Sequence, residues 1–225
     1  MVLSYCNAVI MQRCTSATQW GCPDAITRAG QDGGIGSDPY AVTTGREYLN
    51  RETRGEHTAV EAAFDAFDMA IGEGMDAILT AHIGAMDRLL PALSDHPVYR
   101  DEILRLRSLA SLSRDALDLP DRAETPRQAE ALHPLAIAYV ILGSRLGARV
   151  ISRRLDRQAV RWSDDVRGYF TDEGSGPAWA KLCVELESDH SDAELAAIAD
   201  DAQRVFAVFG EEARALSRAD TMANA

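Results

Sequence analysis

A histidine and a glutamate one helical turn apart, His57 and Glu61, are the first residues whose types and spacing can do chemistry. An imidazole on an apolar helix face needs a partner for its N–H and can offer its other nitrogen to a metal. A carboxylate four residues on is within reach of the ring, the arrangement that orients a metal-bound imidazole and raises its basicity. Taken alone, such a histidine reads first as a hydrogen-bonded core residue. His82 lies on a second apolar seam with Met86 and is a rival ligand, subject to the same plainer reading. Gly143 and Gly147 form a second constellation. Each costs about 1 kcal/mol relative to alanine inside a helix. The pair bares backbone that a flat molecule, or equally a packed neighbouring helix, can approach closely. Ser144 sits beside them, placed to hold a water or to bond back to the Val140 carbonyl. Third, seven arginines stand against three aspartates between Arg145 and Arg167. Most charge runs of this kind are solvated faces, yet the contrast with the rest of the chain suggests an anionic ligand group or an acidic partner surface.

Other chemistries lack their residues. A di-iron carboxylate bundle needs two E-x-x-H turns, and Glu187-Ser188-Asp189-His190 offers one. Phosphate-binding glycine loops and the nucleophile elbow are missing. Cys6, Cys14 and Cys22 are evenly spaced but form no C-x-x-C and have no histidine among them, so free thiols are expected rather than a zinc site. His96 and His133 each precede a proline and read as boundary residues.

The whole chain bounds these readings. At 225 residues with 46% hydrophobic and 26% charged residues, it fits one globular domain with a real core. A net charge of −12 argues against a broadly basic nucleic-acid surface. No run approaches the roughly 20 apolar residues of a membrane helix, and the start lacks the cationic head of a signal peptide. A cytoplasmic protein with no membrane and no nucleic-acid partner is therefore expected.

The positioning elements are helices. Residues 1–42, rich in glycine and without sustained apolar period, read as a flexible N-terminal extension, and 43–220 as the helical domain. Thr44 and Glu47 fit a capping box. A seam Leu49, Thr53, His57, Val60, Phe64, Phe67 follows at spacings of three and four, one helix face. Further helices are predicted over about 75–89, ended by Pro91, then 98–118, and 127–156 with Pro134 bending or restarting it. Short helices near 160–169 and 177–188 and a long one over 192–218 complete an all-α, compact multi-helix fold.

Two stretches carry a resemblance. Leu49-Asn50-Arg51-Glu52-Thr53-Arg54-Gly55-Glu56-His57-Thr58-Ala59-Val60-Glu61 resembles the proximal helix of the haem oxygenase family. Tyr139-Val140-Ile141-Leu142-Gly143-Ser144-Arg145-Leu146-Gly147-Ala148 resembles the distal helix of its bacterial branch, the biliverdin-producing enzymes that serve phytochromes. The two lie in family order about 85 residues apart, and the similarity covers about 45–215.

The resemblance implies haem between a proximal and a distal helix, with His57 as the iron ligand and Glu61 or a backbone carbonyl fixing its tautomer. It implies that Gly143, Ser144 and Gly147 form the catalytic distal wall, and that Thr53 and Tyr139 belong to the haem pocket. Haem would be both substrate and cofactor, cleaved with dioxygen to biliverdin, carbon monoxide and ferrous iron. Ferredoxin or a reductase would supply electrons, and a bacteriophytochrome could accept the product. The alternative is a non-catalytic haem binder or carrier on the same fold. Three positions depart from the pattern. Leu142 replaces a glutamate usual in the bacterial motif. Ser144 stands where animal enzymes carry aspartate, as it does in the bacterial branch. Asn50 replaces a lysine that meets a haem propionate in animal enzymes. Arg54, Arg145, Arg149 and Tyr169 are the candidate propionate partners.

Overall fold

The computed structural model describes residues 44–120, 130–156 and 162–223. These form an all-α fold, with no strand among the described residues. The extension expected over 1–42 and its three cysteines lie outside them. Thr44 caps α1 (Gly45–Glu52) with the reciprocal bonds its sequence predicts: its Oγ1 accepts from the Glu47 amide at 3.2 Å and the Glu47 carboxylate accepts from the Thr44 amide at 3.2 Å. Gly45 is required at this start, because a Cβ there would stand 2.1 Å from the Leu186 carbonyl oxygen.

The single seam predicted from Leu49 to Phe67 is divided. Its first helix stops at Thr53 (φ −98°, ψ 4°), and α2 runs Arg54–Phe64. The buried Thr53 hydroxyl donates to the Leu49 carbonyl at 2.8 Å, a back-bond that bends helices. The backbone ladder continues across the bend, from the His57 amide to the Thr53 carbonyl at 3.0 Å. Phe67 lies beyond the helix yet is buried.

Helix α3 (Gly72–Leu89) passes into a 3-10 turn, Leu90–Leu93, that contains Pro91. Helix α4 spans Pro97–Asp115. Helix α5 (Pro134–Leu155) begins at the proline rather than running through it. Residues 130–133 are non-helical, and the predicted segment 127–129 lies outside the described residues. Proline suits a first helical position because its missing N–H would be unpaired there anyway. His133 is the boundary residue expected: its Nδ1 accepts from the Leu135 amide at 3.2 Å, and its own amide donates to Asp201 at 2.7 Å. Helices α6 (Asp164–Thr171), α7 (Gly176–Leu186) and α8 (Asp192–Ala223) complete the order.

Helix α8 is the organising element. It packs against α1, α2, α3 and α5, while α4 and α6 close the far side of α3 and α5. The buried residues of these helices make one core, including Leu49, Met75, Leu79, Leu106, Ile137 and Val205.

One ionic knot ties the frame. The Arg88 guanidinium, 9% exposed, donates to Glu130 at 2.7 Å, Glu211 at 2.9 Å and Glu212 at 3.1 Å, joining α3 to α8 and to the lead-in of α5. Its charged form is held by three carboxylates against the desolvation that opposes it. Arg88→Leu leaves the Glu212 carboxylate, 10% exposed, without this cation. The expected loss is about 3 kcal/mol or more in urea unfolding; an unchanged midpoint would show the knot to be energetically idle.

Candidate functional site

A cavity with about 780 Å³ of empty space, partly open to solvent, lies between α2 and α5. Its shape follows from helical periodicity. Helix α2 contributes His57, Val60, Glu61 and Phe64 from one face. Helix α5 contributes Val140, Ser144, Gly147 and Ile151, spaced four, three and four. Phe206 and Phe209 of α8 line it between them, and Ile78, His82 and Met69 complete the wall. The lining is predominantly apolar, broken by two imidazoles, one carboxyl and one hydroxyl.

His57 Nδ1 stands 3.6 Å from Glu61 Oε1, too long for a hydrogen bond. Both atoms are buried and lack a hydrogen-bond partner among the described residues. Buried polar groups without partners are uncommon and ask for an explanation. Burial drives the His57 pKa below its ordinary value, so the ring is neutral at pH 7. Burial, with the charge of Asp65 second, pushes Glu61 up to about 7. The Phe206 ring meets the imidazole edge-on at 5.4 Å between centroids.

His82 stands in a denser setting. Phe64, Tyr169 and Phe209 contact its ring at centroid distances of 5.1, 5.5 and 5.4 Å. Burial, with the nearby Arg145 charge second, lowers its pKa to about 3, so this ring too is neutral. Its Nδ1 is 2.9 Å from the Tyr169 hydroxyl. Tyr169 is held on several sides. Ser113 Oγ accepts from its amide at 2.9 Å, Arg145 donates to its carbonyl, and the Arg145 guanidinium lies 4.6 Å from the ring centroid. The phenol and Nδ1 share one hydrogen bond; in the tautomer where the phenol donates, the ring's own proton is on Nε2.

The structure sorts the candidates that the sequence offers. His57, Glu61, Ser144 and Gly147 converge on the cavity, and His82 joins them. The two glycines part company. Gly143 is not on the cavity wall and faces Trp179 of α7, where a Cβ would stand 3.6 Å from the ring, an ordinary contact. Tyr139 also turns to Trp179, at 6.5 Å between ring centroids. Thr53 is buried at the bend rather than in the pocket. Ser144 Oγ donates to the Ile141 carbonyl at 2.7 Å, not to Val140. Its proton is committed, and it offers lone pairs to the cavity.

Among the propionate candidates, Arg145 is 5% exposed and committed to Tyr169, which in turn holds His82. Arg54 is exposed on α2, three residues before His57. The side chain of Arg149 lies outside the described residues. Leu142, 1% exposed, is a core residue. The Tyr169 network was not legible in sequence, because hydrogen bonds between helices leave no spacing signal. Phe206 and Phe209 were more accessible, three apart on the apolar face of the last helix.

A haem ligand needs one neutral imidazole on an apolar cavity and an acceptor behind it, and His57 with Glu61 fits that demand. Among the described residues no group of three or more His, Cys, Asp or Glu side chains is placed to hold a bare metal ion. Among the same residues no helix is long and apolar enough to cross a membrane. No family model and no curated protein matches the chain.

Glu61 makes the pair pH-sensitive. The native state keeps its proton to about pH 7, while the unfolded chain releases it near 4.5. Its stabilising contribution is therefore complete below 4.5 and is lost as pH rises through 7. His57, with a lowered native value, works in the opposite direction as pH rises towards 6.5. Comparison with Glu61→Gln isolates the carboxyl. Between pH 5 and 8, wild type should lose on the order of 2 kcal/mol relative to the variant in urea unfolding. Parallel pH profiles would contradict the shift.

Proposed function

We propose that this chain is a haem-degrading oxygenase that converts haem to biliverdin, carbon monoxide and ferrous iron, using dioxygen and external electrons. The observation that carries the reading is the convergence of His57 and Glu61 with Ser144 and Gly147, from helices distant in sequence, on one apolar cavity. Haem, as substrate and cofactor, would supply the iron that activates dioxygen.

The residues have separable roles. His57 is the ligand, kept neutral by burial and thus able to offer a lone pair. With its Nε2 engaged, Nδ1 carries the proton and Glu61 is the acceptor that turns the ring, closing the 3.6 Å gap. Gly147 lets a flat ligand approach the α5 backbone. Ser144 accepts a hydrogen bond from water in the cavity, since its own proton is taken by Ile141. Phe64, Phe206, Phe209 and Met69 exclude bulk water from the remaining wall. Arg54, exposed at the start of the helix that carries His57, is the described candidate for a propionate. Gly143 and Arg145 act on packing and support, not on the ligand. A ferredoxin or reductase would supply electrons. A cytoplasmic setting and delivery of biliverdin to a bacteriophytochrome belong to the same reading.

A second reading, a haem carrier without turnover, rests on Leu142, which puts a core side chain where the bacterial motif has a carboxylate. Both readings require His57. His57→Ala should bind hemin with an altered Soret band and lose at least 100-fold in turnover, with added imidazole restoring part of it. Normal turnover without imidazole would overturn the assignment of His57.

A further inference from the structure

The cavity carries a second polar feature that haem itself leaves unused. We propose that His82 is a product-recognition residue, whose Nε2–H donates a hydrogen bond to a lactam carbonyl of the linear tetrapyrrole formed in the cavity. This rests on the haem-degrading reading.

The placement of His82 supports it. Three aromatic rings surround the imidazole, whereas His57 shares its helix turn with exposed Arg54 and Thr58. His82 is thus on the inner wall and His57 is nearer the mouth. A porphyrin with two charged propionates on one edge keeps that edge at solvent, because burying unpaired carboxylates is costly. The opposite edge then enters the wall where His82 stands. That edge holds methyl and vinyl groups and no acceptor. Opening the ring there creates two lactam carbonyls, which are strong acceptors, in the same place. An N–H on that wall therefore distinguishes product from substrate.

The orientation of His82 is also built. In the proposed tautomer the Tyr169 hydroxyl is the donor to Nδ1, 2.9 Å away, which leaves the proton on Nε2, an atom with no partner among the described residues. Ser113 fixes the Tyr169 amide, and Arg145 fixes its carbonyl and covers its ring. Arg145, itself buried, makes no ion pair with a carboxylate among the described residues. A network this polar at the end of an apolar cavity costs burial free energy and has one free donor to show for it.

The test compares hemin and biliverdin IXα, whose cleaved edge is the one opposite the propionates, on the full chain. His82→Leu should weaken biliverdin about tenfold while hemin affinity stays within about twofold. The infrared lactam stretch of bound biliverdin should rise in the variant as the hydrogen bond is lost. Tyr169→Phe, which removes only the donor that fixes the tautomer, should move both readouts the same way by less, and it decides the matter where His82→Leu does not fold. Unchanged biliverdin affinity and stretch in both variants would overturn the inference and leave the haem reading standing. So would equal weakening of both pigments, or wild-type protein that binds hemin but not biliverdin. Binding of neither pigment by wild type would overturn the inference together with the haem reading.

Discussion

Two helices that must face one another across a gap are held by a third. Helices α2 and α5 both pack on α8, and the cavity is the space left between them. Every feature of the site depends on that spacing. Phe206 and Phe209 of α8 line it between the two helices and make that part of the wall apolar. The Arg88 knot steadies it from outside, linking α3, the start of α5 and the middle of α8. A cavity costs packing energy, and buried polar atoms add to that cost. His57 Nδ1 and Glu61 Oε1, buried without a hydrogen-bond partner among the described residues, face this cavity and ask for an explanation there.

The two cavity histidines show how environment assigns different work to one residue type. His57 has a carboxyl at 3.6 Å, beyond hydrogen-bond reach, and an exposed neighbour on its helix. His82 is held by a phenol at 2.9 Å whose tyrosine is pinned through its backbone by Ser113 and Arg145. Both are neutral for the same reason, burial. On the reading proposed above, one gives a lone pair and the other a proton.

Most of the fold was legible because apolar periodicity is a strong signal over long helices. The capping box at Thr44, the stop at Pro91 and the long last helix all follow from residues read in order. The bend at Thr53 was not legible, since its cause is a side-chain bond back to Leu49 that the apolar seam does not reveal. The site divided along the same line. His57 and Glu61 share a helix face, so their pairing follows from an i,i+4 offset. Gly143 and Gly147 also share that offset, yet the first meets Trp179 and the second the cavity, because a few tens of degrees around the axis separate two neighbours of α5. Arg145 reads as an anion partner in sequence and is a buried brace in the fold, a difference made by where α6 packs.

On the reading proposed above, the cavity between α2 and α5 holds haem and lets it be oxidised. The most direct test is a single turnover with the full chain. One equivalent of hemin is added, the Soret band is recorded, and ascorbate is supplied in air with catalase present. The account predicts a shifted Soret band on binding, then its decay with growth of a biliverdin absorption. A bound Soret band that persists under reductant and oxygen would contradict the oxygenase and leave a carrier. No shift on adding hemin would contradict the haem site altogether.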